Sequence, residues 1–307
     1  VRSVTLTCHL SSVNYQLSTK KVMSKLTIAG IRRENQFSPN HIGNDAAIFA
    51  LTVQHLRDLG CEVNEYIESD LIVRHFQESA IFNMVRNWTS IHKLQQMEDR
   101  GYTVINSGYG IENCTREKMT RLLMSNNISH PASLILPTDE DPTAALEEAG
   151  FFNSWIKRGD FHAIHREDVT YVRNPEEAKT ILKEYAIRGI KTAVINEHLV
   201  GDLVKFYGVT GTDFFYWFYP SNQHHSKFGL EQINGTAKGI PFDKPKLQQL
   251  CSQAAEVLNI HIYGGDCIIS EDGSIRLIDF NDWPSFAPCR DEAAPHIARR
   301  IYNLISK

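Results

Sequence analysis

Apolar and polar residues alternate through Lys25 to Ile31 as a strand requires, and from Asp45 to Leu59 apolar positions recur at helical spacing until Gly60. Cys61 to Tyr66 reads as a second strand. Ala80 to Val85 and Thr103 to Ile105 add short apolar runs around a helix from Ser90 to Arg100. Strand and helix patterns that alternate in this way predict a parallel sheet covered by helices.

The pattern then changes. A helix is expected over Arg116 to Ser125, a strand over Ala132 to Leu136, a break at Pro137 to Pro142, and strands at Ser154 to Lys157 and Val169 to Val172. A helix from Pro175 to Tyr185 and a strand from Thr192 to Asn196 complete an α+β lobe. Strands at Leu203 to Val209 and Asp213 to Tyr219, a polar loop with His224 and His225, a helix at Lys246 to Leu258 and two strands at Gly265 to Ser270 and Ile275 to Phe280 follow. The expected division is an extension at 1–22 outside the fold, an α/β lobe at 23–110, a central lobe at 111–200 and a C-terminal lobe at 201–307.

Length supports this, because 307 residues exceed what one hydrophobic core usually serves. With 42% hydrophobic and 22% charged residues and no apolar run of membrane-spanning length, a soluble protein without membrane partners is expected. The net charge of −4 and the scattered basic residues offer no field for nucleic acid. Six cysteines without a CxxC pair fit reduced thiols rather than zinc or disulfides. Lys20 and Lys21 precede no continuous apolar segment, so no secretory signal is expected and the cytoplasm is the default location. A homodimer is compatible with all of this.

The chemistry concentrates in YGGDCIISEDGSIRLIDFNDWPSF, two apolar strands joined by Glu271-Asp272-Gly273. Asp279 and Asn281 are two apart and share a face, and Asp266 on the partner strand can face them. Two carboxylates and an amide are hard oxygen donors that leave room for waters and substrate phosphates, a set suited to magnesium, with manganese the alternative. Acids inside RLIDF are costly without partners, which argues against mere strand ends.

This hairpin resembles that of the ATP-grasp superfamily, in which an acid is followed thirteen residues on by acid-x-Asn. The resemblance covers roughly Lys25 to the C-terminus and implies an ATP-grasp fold of α/β and α+β lobes behind an N-terminal open parallel α/β lobe. It implies ATP as cofactor and Asp266, Asp279 and Asn281 as metal ligands, with an aspartate at 279 where glutamate is commoner. It also implies two lysines on ATP phosphates, matched by Lys118, ahead of Pro131, and by Lys157. Arg158 and His162, with His165, would replace backbone donors in a lid that here holds only Gly159. VINEHLVGDLVKFYGV resembles the family's adenine hinge, with Asn196, Glu197 and Leu199 against adenine. Asp202 is then the choice for ribose, with Glu197 competing, and Lys205 reaches either the terminal phosphates or solvent. Arg290 is either a clamp for an anionic substrate or a surface charge.

Weaker candidates are His41, Asn44 and Asp45 for a second substrate, set against a helix N-cap, and Lys227 and Lys238 flanking the histidine loop. His224 and His225 are adjacent rather than at metal-ligand spacing. Family members mostly activate a carboxylate as an acylphosphate for attack by an amine, so the expected activity is carboxylate-amine ligation with small-molecule substrates. A hydroxyl kinase of the inositol phosphate type is the alternative and would need a dense Lys/Arg cluster, for which Arg32 and Arg33 are the only obvious pair. A non-catalytic ATP-binding regulator is the third reading.

Overall fold

The computed structural model describes residues 26–39, 41–161, 166–220 and 233–306. The extension at 1–22, His162, His165, His224, His225 and Lys227 lie outside them. The first lobe runs β1 (Thr27–Arg32), α1 (Ile42–Asp58), β2 (Glu62–Ile67), α2 (Asp70–Val73), β3 (Ala80–Asn83), α3 (Trp88–Glu98), β4 (Thr103–Ile105) and α4 (Gly108–Asn113). Its strands form one parallel sheet in the order β2-β1-β3-β4. All four residues of β3 are buried, as expected for a strand covered on both faces. Gly60, at φ +90°, makes the turn out of α1 that a side chain would strain.

The central lobe comprises α5 (Arg116–Ser125), β5 (Ser133–Pro137), α6 (Thr143–Ala149), β6 (Ser154–Arg158), β7 (Val169–Val172), α7 (Pro175–Ile187) and β8 (Thr192–Glu197). Its sheet is antiparallel in the order β5-β8-β6-β7. Asn174 caps α7 by accepting from the Glu177 amide at 2.9 Å, with Pro175 in the first turn where its missing N–H costs nothing. The last lobe comprises β9 (Asp202–Val209), β10 (Phe215–Phe218), α8 (Lys244–Val257), β11 (Ile262–Ile269), β12 (Ile275–Asp282) and α9 (Arg290–Ile305), with an antiparallel sheet in the order β10-β9-β11-β12.

Four helices go beyond the sequence expectation: α2, α4, α6 and α9. The largest is α9, whose Pro295 reads as a breaker but is exposed, while Ala293, Ala294, Ile297, Ala298 and Ile301 form a buried face. That face shares one core with Ile48, Phe49, Val53 and Leu56 of α1, so the C-terminal helix is fastened to the first lobe. In the same way Met119 and Leu123 of α5 pack into the core of the last lobe with Leu247 and Cys251 of α8. Both helices keep the two antiparallel sheets and the first lobe facing one cleft. Among the described residues no helix is long and apolar enough to cross a membrane.

Candidate active site

The register of three strands builds the site. Lys205 on β9 stands opposite Asp266 on β11, which stands opposite Asp279 on β12, and Asn281 faces Gly264 on the same ladder. Directly opposed residues share a sheet face, so one cation and two acids form a row across the sheet. The strands approach closely here: a β-carbon on Gly265 would come within 2.2 Å of the Asp279 carbonyl oxygen. Only glycine fits beside these acids.

Each acid holds a cation. Lys205 Nζ donates to both oxygens of Asp266, at 3.0 and 3.1 Å, and Arg116 Nη2 lies 3.1 Å from Asp279 Oδ2. Lys157, buried on β6, reaches across the cleft to the Ile278 carbonyl at 2.8 Å. Burial, followed by the repulsion of Arg116, lowers the Lys157 ammonium to about 7 against the pull of Asp279 and Asp266. Burial by itself would raise the Asp279 carboxyl, but Arg116, Lys157, the Asn281 amide and Lys205 outweigh it and hold it below its ordinary range.

These groups line a cavity of about 310 Å³. Towards the segment joining β8 to β9, its walls are Leu199, Leu203, Ile268 and Ile278, an apolar cluster between the two antiparallel sheets, together with Trp155, whose indole donates to His198 Nδ1 at 3.1 Å. Asn196 and Glu197 close that end. Arg33, His41, Asp45, Arg86 and Asp282 form the end towards the first lobe. There Arg33 donates to Asp45 Oδ2 at 2.9 Å and to the Trp283 carbonyl at 3.1 Å, and Arg86 pairs with the buried Asp282. The fully covered Glu68 accepts from the amides of Arg86 and Asn87, at 2.8 and 2.6 Å, and so fixes the loop that carries Arg86.

Of the residues expected from the sequence, Lys157, Asn196, Glu197, Leu199, Lys205, Asp266, Asp279 and Asn281 meet in this cavity. Lys118 does not. Its ammonium is half exposed and pairs with Glu112 at 2.5 Å, while Arg116, two positions earlier and so on the other face of α5, enters the cleft. Strand alternation likewise turns Arg158 away from its neighbour Lys157, onto Asp160 at 2.8 Å. Asp202 is buried and spends both oxygens on the amides of Lys238 and Ile240, at 2.7 and 2.8 Å, so of the two ribose candidates only Glu197 faces the cavity. Arg290 opens α9 and donates to Asn44 Oδ1 at 2.7 Å, outside the cavity lining. Arg32 is exposed on Glu65, whereas Arg33 is inside. Arg116, Arg86, Asp282 and Trp155 were missed; the second acid of RLIDFND was the one available sign of Asp282.

The donor set can be tested for a metal from its own chemistry. Two carboxylates and an amide on paired strands are hard ligands, and among the described residues no three His, Cys, Asp or Glu side chains gather to enclose an ion by themselves. This fits magnesium or manganese that completes its shell with substrate phosphate oxygens.

No family model and no curated protein sequence matches the chain. Solved structures do. D-alanyl-alanine synthetase A from Vibrio cholerae superposes with a TM-score of 0.68 at 11% identity, over 93% of this chain and all of that one. D-alanine–D-alanine ligase from Bacillus anthracis, complexed with ATP, gives 0.68 at 13% identity over 92% and 97% of the two chains. The ATP-grasp ligase PsnB, complexed with a minimal precursor, gives 0.56 at 14% identity over 89% and 98%. With two antiparallel sheets, one of which carries the acidic hairpin, and a parallel lobe ahead of them, the chain has the fold of the ATP-grasp superfamily.

Proposed function

We propose that the protein is a magnesium- and ATP-dependent ligase that activates a small carboxylate as an acylphosphate and joins it to an amine, releasing ADP and phosphate. The observation that carries this reading is the convergence of Arg116, Lys157 and Lys205 on Asp266 and Asp279 beside an apolar slot. In the slot Leu203, Ile268 and Ile278 would flank adenine, with Asn196, Glu197 and Leu199 offering hinge contacts and Glu197 the ribose contact. Arg116, Lys157 and Lys205 would neutralise phosphate oxygens, and Asp266, Asp279 and Asn281 would hold the magnesium. When bound between these carboxylates, magnesium would supply the positive charge that offsets what develops during phosphoryl transfer. The remaining work of the protein is placement and charge neutralisation.

Acceptor recognition falls to the first-lobe end. The second oxygen of Asp45 is buried there without a hydrogen-bond partner, and it suits an N–H donor such as a substrate amine. A hydroxyl kinase of the inositol phosphate type fits less well, since Arg33 and Arg86 are already committed to Asp45, the Trp283 carbonyl and Asp282. The buried free thiols Cys61, Cys114, Cys251, Cys267 and Cys289 are compatible with the cytoplasm as the place of action.

The deciding experiment is ADP release with pooled carboxylates and amines, followed by mass measurement of the product. Condensation of the two with loss of water is expected. A product heavier by one phosphate on a hydroxyl compound would replace the ligase with a kinase, and nucleotide binding without ADP formation would leave a regulator.

A further inference from the structure

The carboxylates assigned to the metal are not open to one. Lys205 Nζ sits on both oxygens of Asp266, and Arg116 lies on Asp279. The two cations come from different elements, β9 and α5, and the acids from β11 and β12, so the pairings do not follow from neighbours in the chain. Lys157 adds a further amino group close enough to both acids to be shifted by them. All five side chains line the same cavity. A divalent ion entering alone would have to displace these cations while remaining beside them, in a partly buried place where like charges are poorly screened.

A polyphosphate changes that balance. Its oxygens give Lys205, Arg116 and Lys157 new anionic partners, and the carboxylates are released for the metal at the same moment. We infer that Lys205 and Arg116 keep Asp266 and Asp279 closed to a free divalent cation until a polyphosphate draws them off, so that metal and nucleotide enter only together. This inference rests on the ATP site proposed above. Its consequence is a positive coupling that is reciprocal by thermodynamic necessity: metal tightens nucleotide as much as nucleotide tightens metal. It also makes Lys205 and Arg116 residues with two roles, opposing the metal in the empty site and serving phosphate in the filled one.

The test follows Mn2+ by electron paramagnetic resonance, titrated into the full chain without nucleotide. Wild type is expected to bind Mn2+ weakly, and Lys205→Gln and Arg116→Gln are each expected to bind it about tenfold more tightly, since each removes one unit of opposing charge. Asp266→Asn combined with Arg116→Gln should abolish the gain and so place the ion on the hairpin. Adding a non-hydrolysable ATP analogue should tighten Mn2+ in wild type and lose that advantage in both glutamine variants. If wild type alone binds Mn2+ at Asp266 as tightly as it does with the analogue, the inference is overturned, a result that does not depend on either variant folding. If the analogue never binds while the nucleotide-free series behaves as expected, the ATP reading fails and the caging of the acids stands.

Discussion

Lys157 on β6 donates to the carbonyl of Ile278 on β12 at 2.8 Å, and this hydrogen bond spans the cleft between the two antiparallel sheets. It brings an amino group that titrates near 7 to the residue next to Asp279. A group whose folded pKa lies below its ordinary value is protonated more in the unfolded chain, so stability rises with pH between about 7 and 10 through this lysine. Phosphate oxygens beside it would favour the charged form.

Nucleotide binding at pH 8 should therefore take up as much as about one proton, because the lysine goes from mostly neutral to charged. Calorimetry in two buffers of different ionisation enthalpy measures the uptake, and Lys157→Met should remove it. Equal heats in both buffers with the wild-type chain would show that Lys157 does not meet phosphate.

Arg116 and Lys118 give a paired test of which face of α5 serves the site. Arg116→Ala should weaken nucleotide binding about 10- to 100-fold, the worth of a charge-assisted hydrogen bond. Lys118→Ala removes only an exposed pair with Glu112 and should stay within about twofold. The reverse order, read by fluorescence titration, would restore the assignment made from sequence.

Asp279→Asn with Asn281→Ala should abolish magnesium-dependent turnover and flatten its dependence on metal concentration. Asp279→Asn keeps the size of that side chain but removes the partner of Arg116, so the fold is checked by urea unfolding alongside turnover. Unchanged turnover at every magnesium concentration would remove the hairpin from the metal site.

Asn106 tests the seam between lobes. Its buried amide accepts from the amides of His261 and Ile262, at 2.9 and 3.0 Å, and donates to the Ile262 carbonyl at 2.8 Å. Asn106→Ala leaves the amides of His261 and Ile262 unpaired, while the Ile262 carbonyl keeps the Trp283 amide at 2.9 Å, and should cost about 2–4 kcal/mol in urea unfolding. A loss below about 0.5 kcal/mol would mean that water substitutes for the amide.

Most strands were legible because their periodicity is local. Thr103–Ile105 and Val169–Val172 fall where the pattern put them, and the hairpin bearing Asp266 and Asp279 pairs the two acids directly. The C-terminal helix was not legible, because Pro295 mimics a stop and nothing in the segment reveals that α1 waits to cover its alanine face. Lys118 stands two residues from Arg116, the residue of α5 that lines the cavity, a shift that spacing tolerates but a helix turns to the opposite side. Asp202 misled for another reason: an acid beside a hinge can serve a ligand or its own backbone, and the amides of Lys238 and Ile240 lie more than thirty positions away.

The sequence by itself determined the α/β order of elements, the hairpin of hard oxygen donors and Lys157 near the end of β6, since each depends on neighbours within a few residues or on one fixed spacing. Only the tertiary structure decided that Arg116 rather than Lys118 enters the cleft, that Arg33 and Arg86 are spent on Asp45 and Asp282, and that Lys205 already occupies Asp266. Those pairings depend on which faces meet when three sheets pack. The direction of a side chain across such a gap is set by long-range packing that no local pattern encodes.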